Sequence, residues 1–174
     1  MTFGAGVWDM YQCGEFVVYG IQGVCRILGT EKQLVDRKRR EFLVLEPVAQ
    51  AGSKFYVPLE NPTAIGKLKP VLTKEALSEL LNSSARQTDC WIKEENLRKQ
   101  TYRELLTNAD RAGLLQMVAT VIRHREIQAQ SGRKFHQCDE SFLHDAFKLL
   151  CSEIALVMEI PMDRAQDYLR NQLK

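Results

Sequence analysis

The sequence has little net charge: 24 Lys and Arg against 22 Asp and Glu leave +2. A uniformly basic nucleic-acid coat is therefore excluded, and any attraction to polyanions has to come from local clusters. Long apolar runs are missing as well, which argues against a membrane-spanning helix. No secretory apolar segment opens the sequence. The five cysteines (Cys13, Cys25, Cys90, Cys138, Cys151) are odd in number and contain no C-x-x-C pair. That usage fits free thiols in a reducing cytoplasm rather than a disulfide framework. Enzyme signatures are absent too: no phosphate-cradling G-x-x-x-x-G-K, no G-x-G-x-x-G, no G-x-S-x-G elbow and no H-E-x-x-H.

The best candidate metal set is His136, Cys138, His144 and Cys151, because imidazole and thiolate suit zinc. The His136-x-Cys138 spacing is too tight for the usual chelating pair, and Cys151 falls in the apolar stripe of a helix. These residues read as a buried thiol with exposed histidines. No metal, cofactor or small-molecule substrate is expected. Cys13 and Cys25 read in the same way, as small apolar residues of strands.

What is present is a 45% hydrophobic, 26% charged chain of 174 residues, of ordinary globular composition. Its texture changes once. Short β-prone runs occupy Phe16–Tyr19, Val24–Leu28, Phe42–Leu45 and Lys54–Val57, punctuated by Gly20, Gly23, Pro47, Gly52 and Pro58. The polar stretch Gly29–Arg40 suits a hairpin or loop. Close strand spacing without room for crossover helices predicts a small antiparallel barrel. After Pro70 the period becomes helical. Thr73 is an N-cap for Ala76, Leu77, Leu80 and Leu81. Residues 82–88 form a polar break. Leu97 to Leu105, then Leu114 to Ile122, continue the period until Ser131-Gly132. Asp139 is read as the cap of a further helix, and Pro161 opens the last one. The expected organisation is α+β. A lead without order covers residues 1–9, a small antiparallel β-barrel domain residues 10–60, a linker residues 61–72 and an all-helical domain residues 73–174.

Two basic clusters stand out. Arg37, Lys38, Arg39 and Arg40 sit at the hairpin; cations there could meet phosphates or an acidic protein patch, or simply be solvated. Lys93, Arg98, Lys99 and Arg103 accompany Trp91 and Tyr102, diluted by Glu94, Glu95 and Glu104. Such a helix face would contact DNA through phosphates, and an aromatic beside it could pack against a groove wall. From composition alone Trp91 reads rather as a core anchor between helices.

The order of motifs resembles the CarD-type bacterial transcription regulators (the CdnL and CarD family). The N-terminal module of that family is shared with the transcription-repair coupling factor. The resemblance is carried by Cys13-Gly14-Glu15-Phe16-Val17-Val18-Tyr19, Gly20-Ile21-Gln22-Gly23-Val24, Glu41 to Leu45 and Phe55-Tyr56-Val57-Pro58. In the second half it is carried by Trp91-Ile92, Asn96 to Lys99, Arg103 to Leu106, Phe135-His136, Asp139-Glu140, Phe142-Leu143 and Ser152 to Leu156, as in the Firmicute form. Gly20 stands where the family writes Pro, Gln22 where it writes His, and Glu15 where Asp is common.

The resemblance implies a Tudor-like barrel that docks on the β-subunit of RNA polymerase. It also implies a helical domain lying against promoter DNA at the upstream edge of the bubble, where a tryptophan wedge enters the minor groove. It implies no catalysis. Docking is expected from the barrel edge near Glu41–Leu45 and Lys54–Val57, through Arg39, Phe42, Val44, Lys54 and Tyr56. Tyr56 occupies a position that is basic in the family, with Lys54 and Arg39 as nearby cations. DNA contact is expected from Trp91, Lys93, Glu95, Arg98, Lys99 and Arg103. An ungapped count puts the wedge position on Glu95, and Trp91 lies one helical turn earlier. The competing expectations are a protein adaptor without DNA binding, and a metal or thiol sensor built on Cys138, His144 and Cys151.

Overall fold

The computed structural model describes residues 11–83 and 88–173. The expected lead, residues 1–9, and residues 84–87 of the expected break lie outside them. The chain divides into two compact units, residues 1–71 and 72–174.

The first unit is a five-stranded antiparallel sheet. Its strands are β1 (Phe16–Tyr19), β2 (Val24–Val35), β3 (Lys38–Pro47), β4 (Phe55–Pro58) and β5 (Leu68–Pro70), in the order β4-β3-β2-β1-β5. Side chains alternate between faces along each strand. One face therefore gathers Val17, Cys25, Ile27, Leu43, Leu45, Val57 and Leu68 into a core, with Tyr19 and Phe55 packed against it. A short 3-10 turn, Gly20–Gln22, joins β1 to β2. Gly20 has φ +47° and Gly23 φ +68°. A proline could not adopt the φ of Gly20.

The polar stretch after Leu28 is a hairpin. β2 and β3 stay in register from Gly29↔Val44 to Val35↔Lys38, after a bulge between Ile27 and Gly29. Asp36 (φ +50°) and Arg37 (φ +63°) form a two-residue turn with both centres left-handed, the geometry that matches strand twist. On β2 the pairing with β1 reaches only Val24–Arg26, and on β3 the pairing with β4 reaches only Phe42–Leu45. Lys32–Arg40 is therefore a two-stranded ribbon extending beyond the sheet.

The linker expected over residues 61–72 is corrected. Asn61 accepts hydrogen bonds from the Thr63 and Ala64 amides and caps a short helix, α1 (Pro62–Ile65). Leu68–Pro70 then pairs with β1 as β5. Two prolines suggested a linker, but Pro62 sits in a first helical turn and Pro70 ends an edge strand; both positions tolerate a missing amide donor.

The second unit is helical: α2 (Lys74–Asn82), α3 (Glu95–Thr107), α4 (Arg111–Gln130), α5 (Gln137–Met158) and α6 (Met162–Gln172). Caps set their starts. The Thr73 hydroxyl accepts from the Ala76 amide at 3.1 Å. Glu94 accepts from the Asn96 and Leu97 amides, and Asp110 from the Gly113 amide. Gly132 at φ +68° follows the end of α4. Leu114, Leu115, Met117, Val118 and Val121 of α4 and Leu143, Ala146, Leu150 and Ile154 of α5 are buried, and the two helices pack on each other. Asp139 is not the cap of α5. His136 holds the cap position, and Asp139 is buried in the first turn. None of the described helices is long and apolar enough to cross a membrane.

Candidate interaction surfaces

In the sheet unit, alternation places Phe42, Val44 and Tyr56 on the face opposite the core. Val44 and Tyr56 are directly paired across β3 and β4. The Phe42 and Tyr56 rings meet edge to face with centroids 6.3 Å apart, an arrangement that fixes both. Tyr56 is 39% exposed, whereas Val44 is only 5% exposed. Val44 is closed off because β3 is an interior strand between β2 and β4. The expectation that both strands form the edge is thereby corrected: β4 is the edge and β3 is not. Arg39 is exposed, but on β3 it alternates to the other face; Arg40 shares the face of Phe42. Lys54 is exposed one residue before β4 begins. Phe16, 39% exposed on β1, lies on the Tyr56 face as well and is not among the expected docking residues. Counting every second residue from Phe42 would have exposed the Arg39/Arg40 distinction.

In the helical unit, the expected DNA residues separate into two groups. Arg98 is 4% exposed. It falls on the inner face of α3 with Tyr102 and Leu106, four and eight residues on. Its Nε and Nη2 donate to Asp139 Oδ1 and Oδ2 at 2.9 and 3.0 Å, and its Nη1 donates to the Ile92 carbonyl at 2.9 Å. Burial works against the guanidinium charge, but the hydrogen bonds and charge of Asp139 outweigh it and raise the Arg98 pKa. Arg98 is thus committed to the interior. The expectation that it meets phosphate is corrected, because its donors already face a buried carboxylate and a backbone carbonyl.

Arg98 also carries Trp91. Its guanidinium lies 4.5 Å from the centroid of the indole ring. Trp91 stacks on His124 with centroids 4.1 Å apart and planes 16° apart, and Phe135 lies 6.5 Å away. The Cys90 amide donates to Thr120 Oγ1 at 3.2 Å and tethers the segment to α4. Asp89 sits 3.2 Å from His124 Nε2 and accepts from the Trp91 amide. Partial loss of solvation opposes its charge, yet those hydrogen bonds, with the charges of His124 and Arg123, hold its pKa below the ordinary value. Trp91 is half-buried and clamped on two sides, so its placement is rigid.

Glu95, Lys99 and Arg103 recur at four-residue steps along another face of α3, and Lys93 precedes the helix. Lys93, Glu95 and Arg103 are exposed. Lys99 pairs with Glu95. That contact raises the Lys99 pKa and lowers that of Glu95. Glu95 is therefore an anion in the middle of the expected basic face.

Among the described residues, no three His, Cys, Asp or Glu side chains gather as a metal set. Cys151 lies in the core, and burial pushes its thiol up to about 12.

A comparison with family models matches residues 11–69 to the CarD-like/TRCF RID domain. The sheet unit is a CarD-like/TRCF RID domain. The match covers the sheet unit, and it supports a CarD-like assignment for those residues. The RID domain is an interaction domain for the RNA polymerase β-subunit, and the match supports a transcription-related, polymerase-binding role. No curated protein matches the chain.

Proposed function

We propose that the RID domain docks on the polymerase β-subunit through edge strand β4 and the Phe42–Tyr56 face, while the helical unit contacts promoter DNA near the upstream edge of the bubble. The observation that carries this reading is the match of residues 11–69 to the RID domain, joined to the exposed Tyr56 on an edge strand. An edge strand offers unpaired backbone groups for pairing with a partner sheet, and alternate side chains give specificity. Lys54 supplies a cation beside it.

The DNA contact rests on Trp91, held by Arg98 and His124, together with exposed Lys93 and Arg103. A rigid aromatic loses little entropy on insertion into a groove. Two weak contacts on one assembly reinforce each other, because the second becomes intramolecular. If the open promoter is bound more tightly than the closed one, the equilibrium shifts by that difference.

The test is a pull-down of the full chain with a recombinant β-subunit fragment, wild type against Tyr56→Glu. Retention of wild type and loss of the variant is the expected result. Failure of wild type to bind would sink the polymerase reading. Binding to β without any promoter-DNA contribution, read by footprinting the promoter complex with a Trp91→Ala comparison, would leave an adaptor. The inward commitment of Arg98 is the one observation that favours that second reading.

A further inference from the structure

The ribbon Lys32–Arg40 is not part of the docking face proposed above, and Arg39, expected among the docking residues, alternates away from that face. The ribbon extends roughly 10 Å beyond the sheet, three paired rungs and a turn at about 3.4 Å per residue. Its tip carries four consecutive cations, Arg37, Lys38, Arg39 and Arg40, in a chain whose whole net charge is +2. All four lie at or beside a tight turn. Arg37, Lys38 and Arg39 are exposed. Among the described residues, none of the four makes an ion pair, although Glu31, Asp36 and Glu41 are near in sequence. Intramolecular charge pairing therefore does not explain them.

Their distribution names the partner. Strand alternation puts Lys38 and Arg40 on one face of the ribbon and Arg39 on the other, with Arg37 at the turn. A ribbon lying flat on an acidic protein patch would concentrate its cations on one face. Cations on both faces and at the tip fit a slot with anionic walls on either side. The major groove of B-form DNA is such a slot: it is about 12 Å wide and 8.5 Å deep, and it admits a two-stranded ribbon between two rows of phosphates. Three of the four cations are arginines, whose planar fork matches phosphate.

We infer that the β2–β3 ribbon is a second, sequence-independent duplex DNA contact, made by the sheet unit and separate from the Trp91 surface. Its contribution is electrostatic and so falls steeply with salt.

The test is fluorescence anisotropy of a 30-base-pair duplex with the full chain, titrated across 50–250 mM salt. Wild type is compared with a combined Arg37→Gln, Lys38→Gln and Arg39→Gln variant, and with Arg39→Gln alone. Each lost phosphate contact lowers the slope of log affinity against log salt by about 0.9. The expected loss is up to about 2.7 for the triple variant and about 0.9 for the single one, with at least a tenfold drop in affinity at 100 mM for the triple variant. Circular dichroism of the variants must match wild type; the single variant, exposed and isolated, guards against a folding defect in the triple. A Lys93→Gln, Arg103→Gln variant separates the two surfaces: its effect should add to that of the ribbon. An unchanged slope in both ribbon variants overturns the inference, as does a wild-type chain that does not bind duplex DNA at 50 mM. A triple variant that loses β-fragment retention but keeps the wild-type DNA slope also overturns it, by making the ribbon a protein contact. Tyr56→Glu is expected to leave the DNA slope intact, so failure of polymerase docking and failure of the ribbon are read separately.

Discussion

Replacing Arg98 with Ala should unfold the helical unit far more readily while leaving DNA charge contacts in place. Arg98 is 4% exposed and Asp139 1%. They share two hydrogen bonds near 3 Å, and Arg98 also satisfies the Ile92 carbonyl. Removing the guanidinium strands a buried carboxylate, and breaking one side of such a pair costs about 3–5 kcal/mol. With a urea m-value of about 2 kcal/mol per molar for a unit of this size, the midpoint should fall by roughly 2 M. Trp91 fluorescence in a Trp8→Phe background reads the transition, since Trp91 stacks within this cluster. Arg98→Lys keeps the charge but loses the fork, and should still destabilise by about 2 kcal/mol. Arg98→Met combined with Asp139→Leu should recover much of the loss, because an apolar pair removes the desolvation cost. A midpoint shift under about 0.3 M for Arg98→Ala, with a lowered salt slope of DNA binding, would refute the reasoning and restore Arg98 as a phosphate contact.

Two other outcomes follow from buried polar groups. The Tyr102 hydroxyl is buried without a hydrogen-bond partner among the described residues, so Tyr102→Phe should be neutral or stabilising by up to about 1 kcal/mol in the same urea assay. Burial pushes the thiols of Cys25 and Cys151 from 9.0 up to about 12. Ionisation then favours the unfolded chain: stability is complete below about pH 9 and declines as pH rises toward 12. A thermal melt series from pH 7 to 11 should show that decline, and replacing both residues with Ala should flatten it. At pH 8 a thiol reagent should label exposed Cys13 in the native chain well before Cys25 or Cys151.

The period of apolar residues was enough to separate a strand-rich half from a helical half, because burial on one face demands alternation in strands and three-to-four spacing in helices. The core strands, the Thr73 cap, the stop at Gly132 and the hairpin beyond Leu28 follow from local chemistry of that kind. The motif order around Cys13–Val24 and Phe55–Pro58 likewise carried the family, whose model matches residues 11–69. Local chemistry misjudged residues 61–70. A capped turn and a three-residue strand are too short to leave a period, and β5 exists only because β1 offers it an edge.

The candidate surfaces needed the tertiary structure for the same reason. Arg98 and Lys99 are adjacent and chemically alike in the sequence, yet α3 turns one inward and the other outward. The four-residue steps from Arg98 to Tyr102 to Leu106, and the lone Asp139 ahead of Leu143 and Ala146, were legible hints that a charge on each helix faces the core. What joins them is a contact across 41 positions. Whether a cation is a lock or a hand for DNA depends on what lies opposite it in space. The sequence by itself determined which residues must be buried and where the chain turns. Only the packing of α3 on α5, and of β4 on β3, decided which charges and aromatics were left facing outward.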